Sequence, residues 1–154
     1  MTSNVKTRLY IDAPLNAGAS VELSKDKAHF LKNVLRLAPG QHIAFFNGRD
    51  GEWLGRIETL SKSAATVALE NQTRPQSPMP DVWLVFAPIK RARINFVAEK
   101  ATELGVAQIR PVITRRTVMA RVNTGRLVAN ALEASEQCER LDLPEVFEPQ
   151  HLDK

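Results

Sequence analysis

Cysteine is nearly missing from this 154-residue sequence: Cys138 stands alone, which excludes an internal disulfide framework and fits a reducing compartment. Histidine is also scarce, at positions 29, 42 and 151, and with one thiol it gives no zinc-type ligand spacing, so no metal is expected. The longest apolar run, Val82 to Ala87, is six residues and far too short to cross a bilayer, so no membrane partner is expected. Met1-Thr2-Ser3-Asn4-Val5-Lys6 lacks the apolar stretch of a secretory signal. The seven glycines, at 18, 40, 48, 51, 55, 105 and 125, build no Gly-x-Gly-x-x-Gly or Walker-type loop. A Gly-x-Ser-x-Gly elbow and a His-Glu-x-x-His helix are likewise missing. The expectation is a soluble cytoplasmic protein without a nucleotide-cradling loop.

What is present is a globular mix, 44% apolar and 25% charged. The net charge of +4 says little, but its distribution says more. Lys90 to Arg126 holds nine basic residues against Glu99 and Glu103, while Glu133 to Asp153 holds seven acidic residues against Arg140. A field separated in this way can draw a polyanion to one face. The same charges also suit ordinary wet helix faces.

Three prolines fall within the six residues Pro75 to Pro80. They read residues 73–80 as a linker between a first domain at 1–72 and a second at 81–154. The first domain reads as strands at Arg8–Asp12, Ser20–Leu23, His42–Phe46, Glu52–Leu60 and Ala64–Glu70. A helix over Lys25–Leu37 is capped by Ser24, has Phe30, Leu31, Val34 and Leu35 on its apolar stripe, and is stopped by Pro39-Gly40. Asn47-Gly48-Arg49-Asp50-Gly51 marks a hairpin tip. Short strands, tight turns and one helix suggest a small β-barrel.

The second domain changes period. Val82–Ala87 is apolar on both faces, as a buried parallel strand would be. A helix from Lys90 carries Ile94, Val97, Ala98, Ala101 and Leu104 on one stripe, with Gly105 as its C′ residue. A strand over Val106–Ile113, ended near Pro111, and a helix over Thr124–Leu141 follow, the latter with Leu127, Val128, Ala131, Leu132 and Cys138 inward. This is the opening of an α/β domain with a parallel sheet. Asp142–Lys154 shows no further strand, so the domain is expected to be incomplete and the chain to be part of a longer protein.

Three clusters carry candidate chemistry. His29, Lys32 and Arg36 share a helix face at intervals of three and four and can straddle RNA phosphates, or form a solvated face. Lys90, Arg91 and Arg93 follow one parallel strand and Arg115 and Arg116 the next, so both groups should meet at the sheet's C-terminal edge, where ligands of open α/β sheets bind. Glu133, Gln137 and Arg140 are spaced four and three on the last helix, which also describes a self-satisfied surface ladder. Cys138 reads as a packed thiol rather than a nucleophile.

His29-Phe30-Leu31-Lys32-Asn33-Val34-Leu35-Arg36-Leu37 with Pro39-Gly40 and Phe46-Asn47-Gly48-Arg49 resembles the amino-terminal part of the RsmE family. Pro88-Ile89-Lys90, Lys100-Ala101-Thr102-Glu103-Leu104-Gly105-Val106, Ile109 and Pro111 are similar to its central signature. So is Glu133-Ala134-Ser135-Glu136-Gln137-Cys138-Glu139-Arg140 with Pro144-Glu145-Val146 to its next segment. The resemblance implies a PUA-like β-barrel followed by a SPOUT methyltransferase domain. It also implies N3-methylation of a uridine in 16S ribosomal RNA, S-adenosyl-L-methionine as methyl donor, and a homodimer acting on the rRNA or small ribosomal subunit. Arg8, Lys32, Arg36, Lys90, Arg93, Arg115 and Arg116 are then the expected RNA contacts, and Glu133, Gln137 and Arg140 would border the catalytic cleft. Thr114-Arg115-Arg116-Thr117 is more basic than the family's usual segment. The family's Gly-Pro-Glu-Gly-Gly-type loop and Leu-Arg-x-Glu-Thr-Ala stretch, which build the knot and hold the donor, have no counterpart, so no cofactor-binding residue is expected in this chain and none is assigned as the base. A non-catalytic RNA-binding module is the alternative.

Overall fold

The computed structural model describes residues 5–119 and 121–152, in two compact units that divide between Ser77 and Pro78. In the first unit, alternation of apolar and polar residues makes strands β1 (Val5–Tyr10), β2 (Ser20–Leu23), β3 (His42–Phe46), β4 (Glu52–Leu60) and β5 (Ala65–Arg74), and β5 takes two residues of the expected linker into the sheet. They pair in the order β1-β3-β4-β5-β2, with β1 parallel to β3 and all other pairs antiparallel. Ala65, Val67 and Leu69 face one side of β5 and are buried with Ile43, Phe45 and Ile57. Gly55 permits this packing, because a Cβ there would lie 2.6 Å from Val67 Cγ1 and 3.0 Å from the Phe45 ring.

The β3–β4 tip is organised by Asn47, whose Oδ1 accepts from the backbone N–H groups of Arg49 (2.9 Å) and Asp50 (2.8 Å). Asp50 in turn accepts from the Leu15 N–H at 2.9 Å and from Asn47 Nδ2 at 2.6 Å. Those two hydrogen bonds, the Leu15 one foremost, hold its carboxyl below the ordinary carboxylate range.

The expected single helix over Lys25–Leu37 is instead a short helix α1 (Lys25–His29) continued by a π-helical turn, Phe30–Val34. Ser24 Oγ caps it through the Lys27 N–H at 3.5 Å. The widened turn is closed by Leu35 N–H donating to the Phe30 carbonyl (3.0 Å) and Leu37 N–H to that of Leu31 (2.9 Å). Widening rotates the apolar stripe: Leu31 is buried and Leu35 half-buried, while Phe30 and Val34 point outward.

The second unit is a parallel sheet of β6 (Trp83–Phe86), β7 (Gln108–Ile113), β8 (Glu145–Val146) and β9 (Gln150–His151). β7 is central, with β6 on one side and β8 then β9 on the other. The segment after residue 142 therefore does contribute strands, each two residues long and too short for an alternation to register. Pro111, expected to end its strand, lies inside it. The carbonyls of Ala107, Ile109 and Ile113 accept from residues 145, 147 and 152, so residue 111 faces the break between β8 and β9, where no N–H is needed.

Helices α2 (Arg91–Glu103) and α3 (Thr124–Gln137) bury Ile94, Ala98, Ala101, Ile109 and Leu127 against one sheet face. The expectation that β6 is buried on both faces fails: Leu84 and Phe86 join this core, but Trp83 and Val85 are each 51% exposed, because β6 is an edge strand with helices on one side only. On that open face the Arg110 guanidinium lies 4.6 Å from the Trp83 ring centre and 3.8 Å from that of Phe147.

α2 ends as expected, with Gly105 at φ +91° after the C-cap Leu104, but Leu104 itself is 85% exposed because the last turn swings it away from the core. α3 stops at Gln137 rather than Leu141, and Glu139 takes φ +62° just beyond. The early stop leaves Cys138 exposed instead of packed, and Val128 is also exposed, while Leu127, Ala131, Ala134 and Ser135 form the buried stripe.

Candidate nucleic-acid interface

β6 and β7 are paired in parallel, Trp83 opposite Gln108 through Phe86 opposite Pro111, so both chains leave the sheet at the same edge. Lys90 sits there as the N-cap of α2, with φ −51° and ψ 142°, and Arg93 follows in the first turn; both are exposed. No acidic residue occupies that first turn. Arg115 and Arg116 are exposed at the tip of the turn after β7. Thr114 and Thr117 pin that turn: Thr117 Oγ1 accepts from the Thr114 N–H at 2.8 Å, and the Thr117 N–H donates to the Thr114 carbonyl at 3.1 Å. Four cations thus share one sheet edge with the positive end of a helix dipole.

A groove of about 340 Å³ opens beside this edge, lined by Ile94 and Asn95 of α2 and by Met119, Arg121, Val122, Asn123, Arg126 and Leu127 from the approach to α3. Asn123 caps α3, its Oδ1 accepting from the Arg126 N–H at 3.0 Å, which fixes where the Arg126 side chain leaves the helix. Arg121 and Arg126 belong to the basic segment of the sequence, but their approach to Ile94 and Asn95 is a tertiary contact that charge order does not contain.

Farther along the same pair of helices lies a smaller groove of about 210 Å³, lined by Glu99, Glu103, Asn130, Glu133, Ala134 and Gln137. Lys100 does not add to the basic field: it sits 2.8 Å from Glu99 and 2.9 Å from Glu103, whose contacts raise its pKa, and it lowers that of Glu99 in return.

Glu133 and Gln137 therefore share a groove, and Arg140 does not line it. Arg140 is 10% exposed and turned inward, donating to Asp142 Oδ1 at 2.9 and 2.6 Å and to the carbonyls of Thr102 (2.7 Å) and Val106 (3.1 Å). It ties the end of α2 to the segment that leads into β8. The spacing of four and three assumed a helix through residue 140, and the chain leaves the helix three residues earlier.

In the first unit Arg8 is also turned inward. Its Nε donates to Glu52 at 2.7 Å, it lies 4.7 Å from the centre of the Phe46 ring, and it is 11% exposed. His29, Lys32 and Arg36 are all exposed, but they do not share a regular helix face. Lys32 Nζ donates to the Leu60 carbonyl at 3.2 Å, and Arg36 lies past the π turn at φ +54°, a left-handed conformation that a residue with a Cβ takes at a cost. Phe30, exposed beside them, adds an aromatic face that helical spacing had assigned to the core.

Residues 75–154, just over half of the chain, match the family model described as an RNA methyltransferase domain, and residues 23–70 match that of the RNA methyltransferase PUA domain. The ribosomal RNA small subunit methyltransferase E of Rickettsia conorii is 36% identical over 138 residues. This chain belongs to the RsmE family. It carries that family's PUA-like domain followed by a methyltransferase domain with a parallel sheet. The Rickettsia alignment takes in 89% of this chain and 57% of that protein. A relative of the same name from Synechocystis is 30% identical, over 85% of this chain and 44% of its own length. The crystal structure of the RsmE enzyme from Neisseria gonorrhoeae, bound to S-adenosyl methionine, superposes with a TM-score of 0.84 at 29% identity, covering 94% of this chain and 62% of that one. A putative methyltransferase from Legionella pneumophila, in complex with the same cofactor, gives 0.86 at 28% identity, covering 96% and 64%. The chain thus spans about half of the length of these curated RsmE relatives.

Proposed function

We propose that this chain is the RNA-gripping part of a ribosomal RNA small subunit methyltransferase that places a methyl group on N3 of a uridine in 16S rRNA. The observation that carries this reading is the parallel β6–β7 pairing, which brings Lys90, Arg93, Arg115 and Arg116 to one sheet edge. Lys32 and Arg36, with the exposed Phe30, form a basic and aromatic patch of the first unit, proposed to be a closed PUA-like barrel that runs through β5 to Arg74 and is joined to the second domain by 75–80. Arg8 fixes Glu52 and Phe46 at the other end of β4 from Lys32, rather than acting as a phosphate contact. Such cations position the RNA backbone without reading sequence.

N3 of uridine carries a proton and is normally paired, so the target has to be unpaired or extruded and its N3 proton removed. Cations at the sheet edge favour the deprotonated ring electrostatically. S-adenosyl-L-methionine supplies the methyl as an electrophilic sulfonium when bound. The described residues do not fit it: the larger groove carries two guanidinium groups, which repel a cation, and the smaller has only Ala134 as an apolar surface for an adenine. The donor site and the dimer interface are proposed to lie in polypeptide outside these 154 residues, and the open sheet face with Trp83 and Val85 supports a further layer there. The complete homodimer would work on 16S rRNA or the small subunit in the cytoplasm.

Calorimetric titration of S-adenosyl-L-methionine into this chain, alongside a low-salt RNA binding curve, tests the reading. RNA binding without donor binding is expected. Donor binding by the 154 residues alone, or negligible RNA binding at low salt, contradicts it.

A further inference from the structure

We propose that the groove between the start of α2 and the start of α3 is a pocket for a single unpaired nucleotide of the RNA, a site separate from the four-cation edge beside it. The inference rests on the RNA reading above and adds a binding site to it. Three features point to a nucleotide rather than to a bare anion or an apolar ligand. The groove is about 340 Å³, within the size range of small-ligand sites. Met119 and Val122, both partly exposed over the buried Ile94 and Leu127, give it apolar surface on which a base can lie. Arg121 and Arg126 line the same groove, no carboxylate does, and among the described residues neither guanidinium is in an ion pair. A planar fork of donors of this kind suits a phosphate, and the Asn95 amide brings both a donor and an acceptor for a base edge.

The acidic groove farther along the seam gives the pocket a direction. Glu99, Glu103 and Glu133 line it and Lys100 offsets one of the three charges, so a phosphate chain that enters at Arg121 and Arg126 is repelled by the remainder from running on between the helices. The strand is turned back toward Lys90, Arg93, Arg115 and Arg116, and one nucleotide is left seated at the seam. The pocket thereby holds the RNA in a splayed, unstacked form, which any chemistry at a base edge requires.

The test uses the whole chain, isotopically labelled and titrated with uridine 5′-monophosphate while amide resonances are followed by NMR, with uridine and inorganic phosphate as separate arms. Uridine monophosphate is expected to shift the Asn95 side-chain amide and the backbone of 122–127, and to bind at least tenfold more tightly than either half alone. Arg121→Gln with Arg126→Gln should weaken it about tenfold and leave the remaining spectrum in place, whereas Arg49→Gln in the first unit should change nothing. Phosphate binding as tightly as the nucleotide, shifts that map elsewhere, or an unaffected double variant would each overturn the pocket. Short oligouridine at low salt separates the two readings. If it binds while the groove resonances stay still, the pocket is wrong and the RNA reading stands; if it does not bind at all, both fall.

Discussion

Replacing Arg140 with methionine removes a guanidinium that satisfies three acceptors at once: the Asp142 carboxylate and the carbonyls of Thr102 and Val106. Arg140 and Asp142 are 10% and 14% exposed, so solvent screens the pair little. Breaking such a pair from one side costs about 3–5 kcal/mol, because the remaining charge is left buried. Asp142 keeps some contact with water, so we expect about 3 kcal/mol. Asp142→Ala should cost less, about 1–2 kcal/mol, since Arg140 keeps both carbonyls. The protein offers a clean readout, with Trp53 in the first unit and Trp83 in the second. In a Trp53→Phe background, urea unfolding followed by fluorescence reports Trp83 alone. The double variant Arg140→Met, Asp142→Ala should fall well short of the sum of the single losses, by about 1 kcal/mol or more. Strict additivity, or a loss below about 1 kcal/mol for Arg140→Met, would refute the clamp and return Arg140 to the surface.

Further outcomes follow from the first unit. Asp50, held below its ordinary pKa, contributes stability above the unfolded-state value near 3.8 and loses it as the pH falls through the lower folded value. Asp50→Asn should therefore flatten the acid limb of a Trp53 stability curve, and an unchanged limb would contradict the assignment. Arg36→Gly relieves the left-handed strain at φ +54° and should leave the fold as stable or up to about 1 kcal/mol more stable while weakening RNA binding. A loss of stability larger than that would mean the Arg36 side chain holds the fold. Gly55→Ala forces a Cβ to within 2.6 Å of Val67 and should cost about 1–3 kcal/mol by denaturant unfolding, whereas a neutral change would show that the sheet yields there.

Much of the fold was legible where one rule governed a segment. Ser20–Leu23, His42–Phe46 and Glu52–Leu60 run as the alternation and the Asn-Gly and Asp-Gly turn require. Gly105 ends α2 because a left-handed C′ position favours a residue without a Cβ. Other features depend on neighbours that a local pattern does not contain. Phe30 and Val34 fit a 3.6-residue stripe, yet a single π turn carries them outward. The two-residue strands β8 and β9 exist only because β7 presents an edge. The basic edge was readable, since it follows from charge order and parallel pairing. The inward turn of Arg8 and Arg140 was not, since each is set by a partner 44 or 38 residues away.

The most direct measurement is the salt dependence of single-stranded RNA binding by the chain and by its Lys90→Gln, Arg93→Gln, Arg115→Gln, Arg116→Gln variant. Each phosphate contact to a single strand contributes about 0.7 to the slope of log affinity against log salt, so loss of four should flatten it by roughly 3. A variant whose slope matches that of the parent would contradict the proposal that this sheet edge holds the RNA.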